Sequence, residues 1–461
     1  MMRPVKLILD NRLTLPDPPP ELAAYCRKTL RFPNPKWEEN QRLGRWNQGV
    51  PRTLTFYTDL SGGGLRAPRG FIRTVILKCR KMGIPWELDD RRPRLDPVSF
   101  DFSGTLKPFQ EKAVAAMASK EFGTLSAPTG SGKTVIGLRM IADRRQSVLV
   151  VVHTRELAHQ WVDRIGAFLG IPESEVGFIG EGRREVGDRV TVALVQSLYK
   201  CAAEVAPRIG FLLVDECHRA PSRTFTDAVS VFDCRYMLGL TATPWRRDKL
   251  SRLIFLHLGD VHWKVDKGAL EQRGHIVPAD VVFRETDFRP FHDPTQEYPK
   301  MIAELTADDA RNRMIAEDIA REAAKGQGVC LVLSDRKHHC ETLVSLLRFA
   351  HKTPAELLTG DVSPGERRAI IDRVCSGGAP VIVATGQLVG EGFDCPNLTT
   401  LFIATPVRFQ GRLLQYVGRV LRPAPGKTRA KVYDYVDVHV GPLVAAARAR
   451  QRAYRGEEVR E

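Results

Sequence analysis

Residues 126–135 read SAPTGSGKTV, and how that stretch is read decides the fold. The strand-like run FGTLS (122–126) leads into it, and an apolar helix opens behind it at Lys133. A glycine-rich turn between strand and helix aims the backbone N–H groups of Gly130, Ser131, Gly132 and Lys133 at one point. The first turn of the helix adds its partial positive charge there. Such a turn cradles phosphates. In this pattern Lys133 reaches the terminal phosphates and the Thr134 hydroxyl holds Mg²⁺. The strict pattern opens on glycine, and here Ala127 stands in that place, followed by Pro128 and Thr129. Kinases, GTPases, pumps and motors all use such a loop, so it predicts a bound triphosphate without naming its use.

Outward from the loop, apolar runs alternate with amphipathic helical stretches, the signature of parallel α/β layers. SVLVVVH (147–153), VTVALV (190–195), FLLVDE (211–216) and YMLGLTAT (236–243) read as buried strands. A second series follows in GVCLVLS (328–334), AELLTG (355–360), PVIVAT (380–385), TTLFIAT (399–405) and AKVYDYVDV (430–438). Two consecutive α/β domains are expected, over residues 105–275 and 276–461. Residues 1–104 are broken by prolines and glycines and read as a small α+β accessory domain. Its helix at about 68–83 carries Arg69, Arg73, Lys78, Arg80 and Lys81. The closing segment, 445–461, reads as a mixed-charge helix that frays, and KHHC (337–340) as an exposed helical turn.

The 461 residues exceed one ordinary hydrophobic core. The net charge of +15 is unevenly spread. Residues 1–104 carry 19 Lys and Arg against 11 Asp and Glu, a surplus of 8. That basic segment is either a contact for a polyanion or a solvated surface. No apolar run has the length of a membrane span or of a signal peptide. The nine cysteines form no CxxC pair, which argues against zinc knuckles and disulfide frameworks and for a reducing, cytoplasmic setting.

FLLVDECHRA (211–220) narrows the chemistry. A buried strand delivers Asp215 at its carboxyl end, where it can complete a metal shell. Glu216 follows, able to orient and deprotonate a water. Paired acids behind a phosphate loop point to hydrolysis. Far away, QYVGRVLRP (415–423) spaces Gln415, Arg419 and Arg422 by four and three, on one helical face. Arginines gathered in this way suit an anionic target, in the manner of arginine fingers.

The ordered set resembles the superfamily 2 helicases of the DExH type over about residues 105–440. The resemblance implies two tandem RecA-like domains that bind ATP and Mg²⁺ and grip a nucleic-acid backbone. LKPFQEKAV (106–114) is similar to the Q motif, with Gln110 as adenine reader. HTRELAHQW (153–161) and LVQSL (194–198) would supply Thr154, Arg155 and Gln196 to the nucleic acid. LTATP (240–244) resembles motif III, so Thr241 and Thr243, with His218 of the DECH box, would couple the two sites. LSDRKHHCETL (333–343) resembles motif IV. ATGQLVGEGFDCPNL (384–398) resembles motif V, with Thr385, Gly386 and Gln387 near phosphates and Gly392 and Asp394 near the nucleotide. QYVGRVLRP is motif VI. Within the superfamily the chain looks most like the branch holding the XPB repair helicase and the phage UvsW helicase. At 246–248, where XPB proteins carry Arg-Glu-Asp, it has Arg246-Arg247-Asp248. The resemblance implies an ATP-dependent DNA helicase or translocase; a duplex translocase subunit and an RNA helicase stay open as alternatives.

Overall fold

The computed structural model describes residues 3–42, 44–219, 223–242, 250–386, 388, 395–407 and 410–455. It divides into two compact units, the first of residues up to Ala127 and Gly132–Val265, the second of Pro128–Ser131 and the residues from Asp266 on.

Among the described residues the first unit contains two large sheets and one two-stranded sheet. The smaller of the two large ones is built from β1 (Val5–Leu9), β2 (Arg12–Leu15), β5 (Thr58–Asp59), β6 (Leu65–Pro68) and β7 (Trp86–Asp90), in the order β5-β6-β2-β1-β7. A separate antiparallel pair, β3 (Arg31–Pro33) and β4 (Thr53–Thr55), stands beside it. Leu7, Leu9, Leu13 and Leu15 form the buried side of this sheet and pack under helices Pro20–Thr29 and Ile72–Met82 through Leu22, Cys26, Val75 and Cys79.

The basic helix foreseen at 68–83 is therefore real from Ile72, but its charges are spent differently. Arg69 is buried, and its guanidinium donates to the Cys234 carbonyl at 2.9 Å. Arg73 pairs with Asp260 at 2.8 Å, and Lys78 lies 4.6 Å from the Tyr25 ring centre. Arg92, also buried, donates to Asp90 at 2.8 Å, to Glu121 and to the Arg235 carbonyl at 3.1 Å. These arginines join the accessory sheet to the larger one, so the local surplus of charge overstates the free basic surface. The sequence pattern could not show this, because the partners of Arg69 and Arg73 and the Arg235 carbonyl that Arg92 meets each lie more than a hundred residues away.

The larger sheet holds β8 (Phe122–Ser126), β9 (Val148–Val152), β10 (Gly177–Gly180), β11 (Arg183–Arg184), β12 (Val190–Leu194), β13 (Phe211–Val214), β14 (Tyr236–Thr241) and β15 (Val261–Lys264). Their order is β11-β10-β12-β9-β13-β14-β8-β15, parallel except at the β10–β11 edge. Every residue of β9, β12 and β13 is buried. Strands covered on both faces read as unbroken apolar runs, which is why VLVVV and FLLV were legible. The parallel arrangement brings the carboxyl ends of β8, β9, β13 and β14 to one edge, where ligands of such sheets bind.

The second unit is one parallel sheet: β16 (Ala279–Thr286), β17 (Val329–Ser334), β18 (Ala355–Leu358), β19 (Val381–Thr385), β20 (Leu398–Ile403) and β21 (Ala430–Asp437), ordered β16-β21-β20-β17-β19-β18. The two parallel sheets are tandem RecA-like domains, preceded by the N-terminal accessory region. Among the described residues no helix is long and apolar enough to cross a membrane.

Two expectations for this unit are corrected. In KHHC only Lys337 and His338 face solvent; His339 and Cys340 are buried. His339 lies 2.9 Å from the Ser334 hydroxyl and 2.9 Å from Asn312 Oδ1. The closing helix, Gly441–Tyr454, does not fray as expected: it docks by burying Arg450 against Asp434. Residues 456–461 of that expectation lie outside the described residues.

Burial, then the nearby Arg311 charge, pushes the His339 imidazole down to about 3. The native ring stays neutral, while the unfolded ring binds a proton below about 6.5. Its contribution is complete above that value and is lost as the pH falls. By pH 5 the loss is about 2 kcal/mol. Urea unfolding at pH 7 and pH 5 should show a smaller acid loss in His339→Gln than in the unaltered protein; an identical pH dependence would contradict the assignment.

Candidate active site

The strand β8 ends at Ser126, and the chain turns through residues 127–132 into the helix Lys133–Arg144. Gly132 sits at φ 77°, in the left-handed region that favours glycine. A side chain there would also meet Gln110, whose amide nitrogen lies 2.5 Å from the position a Cβ would take. Gln110 is buried, and its Oε1 accepts from the Lys107 backbone N–H at 2.9 Å. It thus closes its own helix, Pro108–Ala118, and braces the loop at once. The loop is stiffened from within as Ser131 donates through its hydroxyl to the Pro128 carbonyl at 2.7 Å. Ala127, at the degenerate first position, is fully buried, and its N–H donates to the Thr241 carbonyl at 2.8 Å. A residue held that way has its backbone inside the sheet edge, so the missing glycine costs the turn nothing.

Lys133 is the first residue of its helix, and its ammonium lies 3.3 Å from the Ala127 carbonyl and 3.6 Å from Glu216 Oε1. Asp215 and Glu216 follow β13 directly. Asp215 is buried; it accepts from the Trp161 indole at 2.9 Å and from the Glu216 N–H at 2.8 Å. Burial, and next the neighbouring Glu216 charge, push its carboxyl above the usual range. A pair of acids held this close with one ammonium beside them suits a divalent cation, which would keep both ionised. Thr134, half-buried one residue beyond the lysine, offers the hydroxyl. The site therefore fits Mg²⁺.

Glu216 adopts φ 46°, rare for a residue with a side chain, at a cost of about 1–3 kcal/mol. Strain of this order at a chain turn is kept where it aims a group. His218, buried three positions beyond Asp215, lies 3.2 Å from Glu216 Oε2 and 3.0 Å from the Thr241 hydroxyl. Thr241 thus touches the phosphate loop by its carbonyl and the acid–histidine pair by its side chain.

The same edge carries the residues expected to meet nucleic acid. Thr154 follows β9 and caps the helix Arg155–Leu169, its hydroxyl accepting from Leu157 N–H at 3.4 Å. Arg155 is exposed, 3.6 Å from Glu181. Gln196, after β12, donates to the His153 carbonyl at 3.2 Å. The fold brings the three together as one surface.

In the second unit the helix Gln410–Val420 carries Gln415 and Arg419. Arg422 lies just past its end, in a turn closed by its N–H on the Arg419 carbonyl at 3.4 Å, so it extends the helical face rather than belonging to it. Tyr416, buried on that helix, donates to the Gly386 carbonyl at 2.7 Å. A Cβ on Gly386 would come within 2.4 Å of that hydroxyl, so only glycine lets the two segments meet. Thr385 ends β19 beside it. Thr243, Gln387, Gly392 and Asp394, with 246–248, lie outside the described residues, as does the Gln415 side chain. Trp161 and Tyr416 were missed as site residues although both stand inside quoted motifs. A polar hydrogen on an otherwise apolar ring gives no periodic signal.

A family model described as type III restriction enzyme, res subunit, matches residues 103–246, and one described as helicase conserved C-terminal domain matches 312–424. The chain is 26% identical over 354 residues to the "DNA 3'-5' translocase XPB2" of Sulfurisphaera tokodaii, covering 69% of this chain and 78% of that protein. It is 23% identical over 461 residues to "Probable helicase D10" of Escherichia phage T5, covering 98% and 94%. Against two longer relatives with XPB or Rad25 names it spans 66% and 54% of their lengths. In fold it is similar to the Hef helicase domain of Pyrococcus furiosus, with a TM-score of 0.50, 15% identity, and coverage of 74% and 98%. With the phosphate loop, the paired acids and the two sheets in motif order, the chain is a superfamily 2 helicase related to the XPB proteins and a nucleic-acid-dependent ATPase.

Proposed function

We propose that the protein is a DNA motor: it hydrolyses ATP to move along DNA or to separate its strands, in repair, recombination or the DNA processing of phage and host defence. The observation that carries the reading is the contact set around Thr241, which joins the phosphate loop to Glu216 through His218. The names of the relatives, mostly DNA helicases or translocases, favour DNA.

In this reading Ala127, Pro128, Thr129, Gly130, Ser131 and Gly132 wrap the phosphates, and Gln110 reads the adenine while bracing the loop. Lys133 neutralises the terminal phosphates. Asp215 and Thr134 hold Mg²⁺, which when bound offsets charge on the phosphate oxygens. Glu216 takes a proton from the attacking water as its oxygen bonds to the terminal phosphorus; the bond to the ADP oxygen breaks, and ADP and phosphate leave. Arg419 and Arg422, with Gln415, Gly392 and Asp394, are assigned to the nucleotide as well. Thr154, Arg155, Gln196, Thr385, Gly386 and Gln387 hold the DNA backbone. Such contacts carry no sequence information, so binding falls with salt and is indifferent to sequence.

The test is ATP turnover measured with single-stranded, duplex and forked DNA and with RNA. Stimulation by DNA is expected. Greater stimulation by RNA would overturn the choice of DNA, and no stimulation by any of them would overturn the motor. A second reading, a duplex translocase that does not separate strands, is favoured by the match of residues 103–246 to a restriction-enzyme subunit. Activity in triplex displacement without strand displacement would select it. Lys133→Ala should lower turnover by about 10²–10³-fold, the scale for losing one charge-stabilising group. Its melting temperature should not change, and wild-type turnover would remove the phosphate-loop assignment.

A further inference from the structure

The segment from β3 to β4 makes a small lobe of its own within the accessory region. Its helix Pro35–Arg42 packs on a loop, residues 44–52, that is tied down at every turn. Arg45 N–H donates to the Asn40 carbonyl at 2.8 Å. Asn40 Nδ2 donates to Asn47 Oδ1 at 2.9 Å, and Asn47 Nδ2 to the Trp37 carbonyl at 3.2 Å. Val50 N–H closes on the Asn47 carbonyl at 3.0 Å, and buried Asn34 holds the Pro51 carbonyl at 2.8 Å.

Between these ties stands Trp46, 86% exposed. An indole buries on the order of 200 Å² when a fold uses it. Here the backbone on both sides is fixed and the ring is left in water, so folding gains nothing from it. The neighbouring Trp37 shows the contrast: it is half-buried, with the Arg52 guanidinium 5.4 Å from its ring centre.

The lobe is net basic. Residues 31–56 carry five Lys and Arg against two Glu. Glu38 and Glu39 fall on the side of the helix away from Trp37 and Asn40, which face the loop. Arg45, adjacent to the ring, and Arg52 are exposed. A solvated ring on a fixed backbone, in a net-basic lobe, fits a polyanion that has flat apolar faces to offer. In a closed duplex those faces are already stacked on one another; in a single strand or a frayed end they are not.

We propose that Trp46 is a stacking platform for an unpaired base of single-stranded or frayed DNA, with Arg45 and Arg52 beside the strand's phosphates. This rests on the reading of the chain as a DNA motor. It assigns the lobe a contact outside the helicase motifs and separate from the ATP site.

The test compares the full-length protein with Trp46→Ala, Trp46→Phe and Arg45→Ala by fluorescence anisotropy. The probes are a labelled oligothymidylate and a covalently closed circular duplex. Trp46→Ala should weaken oligothymidylate binding about 5- to 150-fold, the range for one lost base–aromatic stack. Trp46→Phe should recover most of that loss. Arg45→Ala should reduce the salt slope by about 0.7. Binding to the closed circle should be the same in all four proteins. Unchanged oligothymidylate affinity in Trp46→Ala overturns the proposal, and so does an equal loss on the closed circle. Thermal melting of each variant monitors the fold. ATP turnover of the unaltered protein is scored separately, so a motor that ignores DNA and a lobe that does not stack give different results.

Discussion

Glu216→Gln should lower the rate of ATP hydrolysis by about 10²–10⁴-fold while leaving ATP affinity nearly unchanged. Glutamine keeps the size of the side chain and the strained backbone at φ 46°, so the turn that aims it survives. What disappears is the basic oxygen that accepts the water's proton. The 3.6 Å ion pair with Lys133 disappears too, which frees that ammonium for the phosphates and opposes any loss of binding. Single-turnover hydrolysis beside equilibrium binding of ATP separates the two quantities. Weakened binding with normal turnover would show that Glu216 holds the nucleotide and does not act on water.

Asp434→Ala should destabilise the second unit by about 3–5 kcal/mol, the scale for leaving a buried charge without its partner. Asp434 lies in β21 with no exposure, and receives Arg450 through Nε and Nη2, both at 2.7 Å, and the Tyr454 hydroxyl at 2.8 Å. Removing the carboxylate strands the guanidinium inside the fold and releases the helix Gly441–Tyr454 that carries it. An apolar replacement of the whole set, Asp434→Leu with Arg450→Met and Tyr454→Phe, should return most of the stability, because no buried polar group is then left over. A protein of two units need not unfold in one step. Hydrogen exchange at the β21 amides is therefore the proper readout. A cost below about 1 kcal/mol for Asp434→Ala would mean that water reaches the pair.

These two cases also show what the sequence could and could not disclose. The phosphate loop and the Asp215–Glu216 pair were legible because their chemistry lies in consecutive residues at the end of a strand whose apolar run is unbroken. The inner strands β9, β12, β13, β14 and β17 were legible for the same reason, being covered on both faces, whereas the more exposed strands β11, β15 and β16 gave no such run and went unread. Arg69, Arg450 and His339 were misread because a polar residue in an amphipathic stretch reads as solvated by default. Each is buried by a partner supplied from elsewhere: the Cys234 carbonyl, Asp434, and Asn312 with Ser334. Trp161 stood in plain view, yet its bond to Asp215 spans 54 positions and follows no period. Local order is written in the spacing, whereas pairing across the fold has to be seen.

The buried arginines at the base of the accessory sheet have a consequence for engineering. A segment joined by a linker can be clipped off or transplanted, but this one shares its seam with the ATPase half. Cutting it away would bare the apolar contacts of Phe122 and Leu256 and leave the carbonyls of Cys234 and Arg235 without their donors. A hybrid protein carrying a foreign head would need matching residues near 230–235 and 255–260. The head is thus welded to the sheet that carries Lys133 and Asp215 by buried donors and shared apolar contacts.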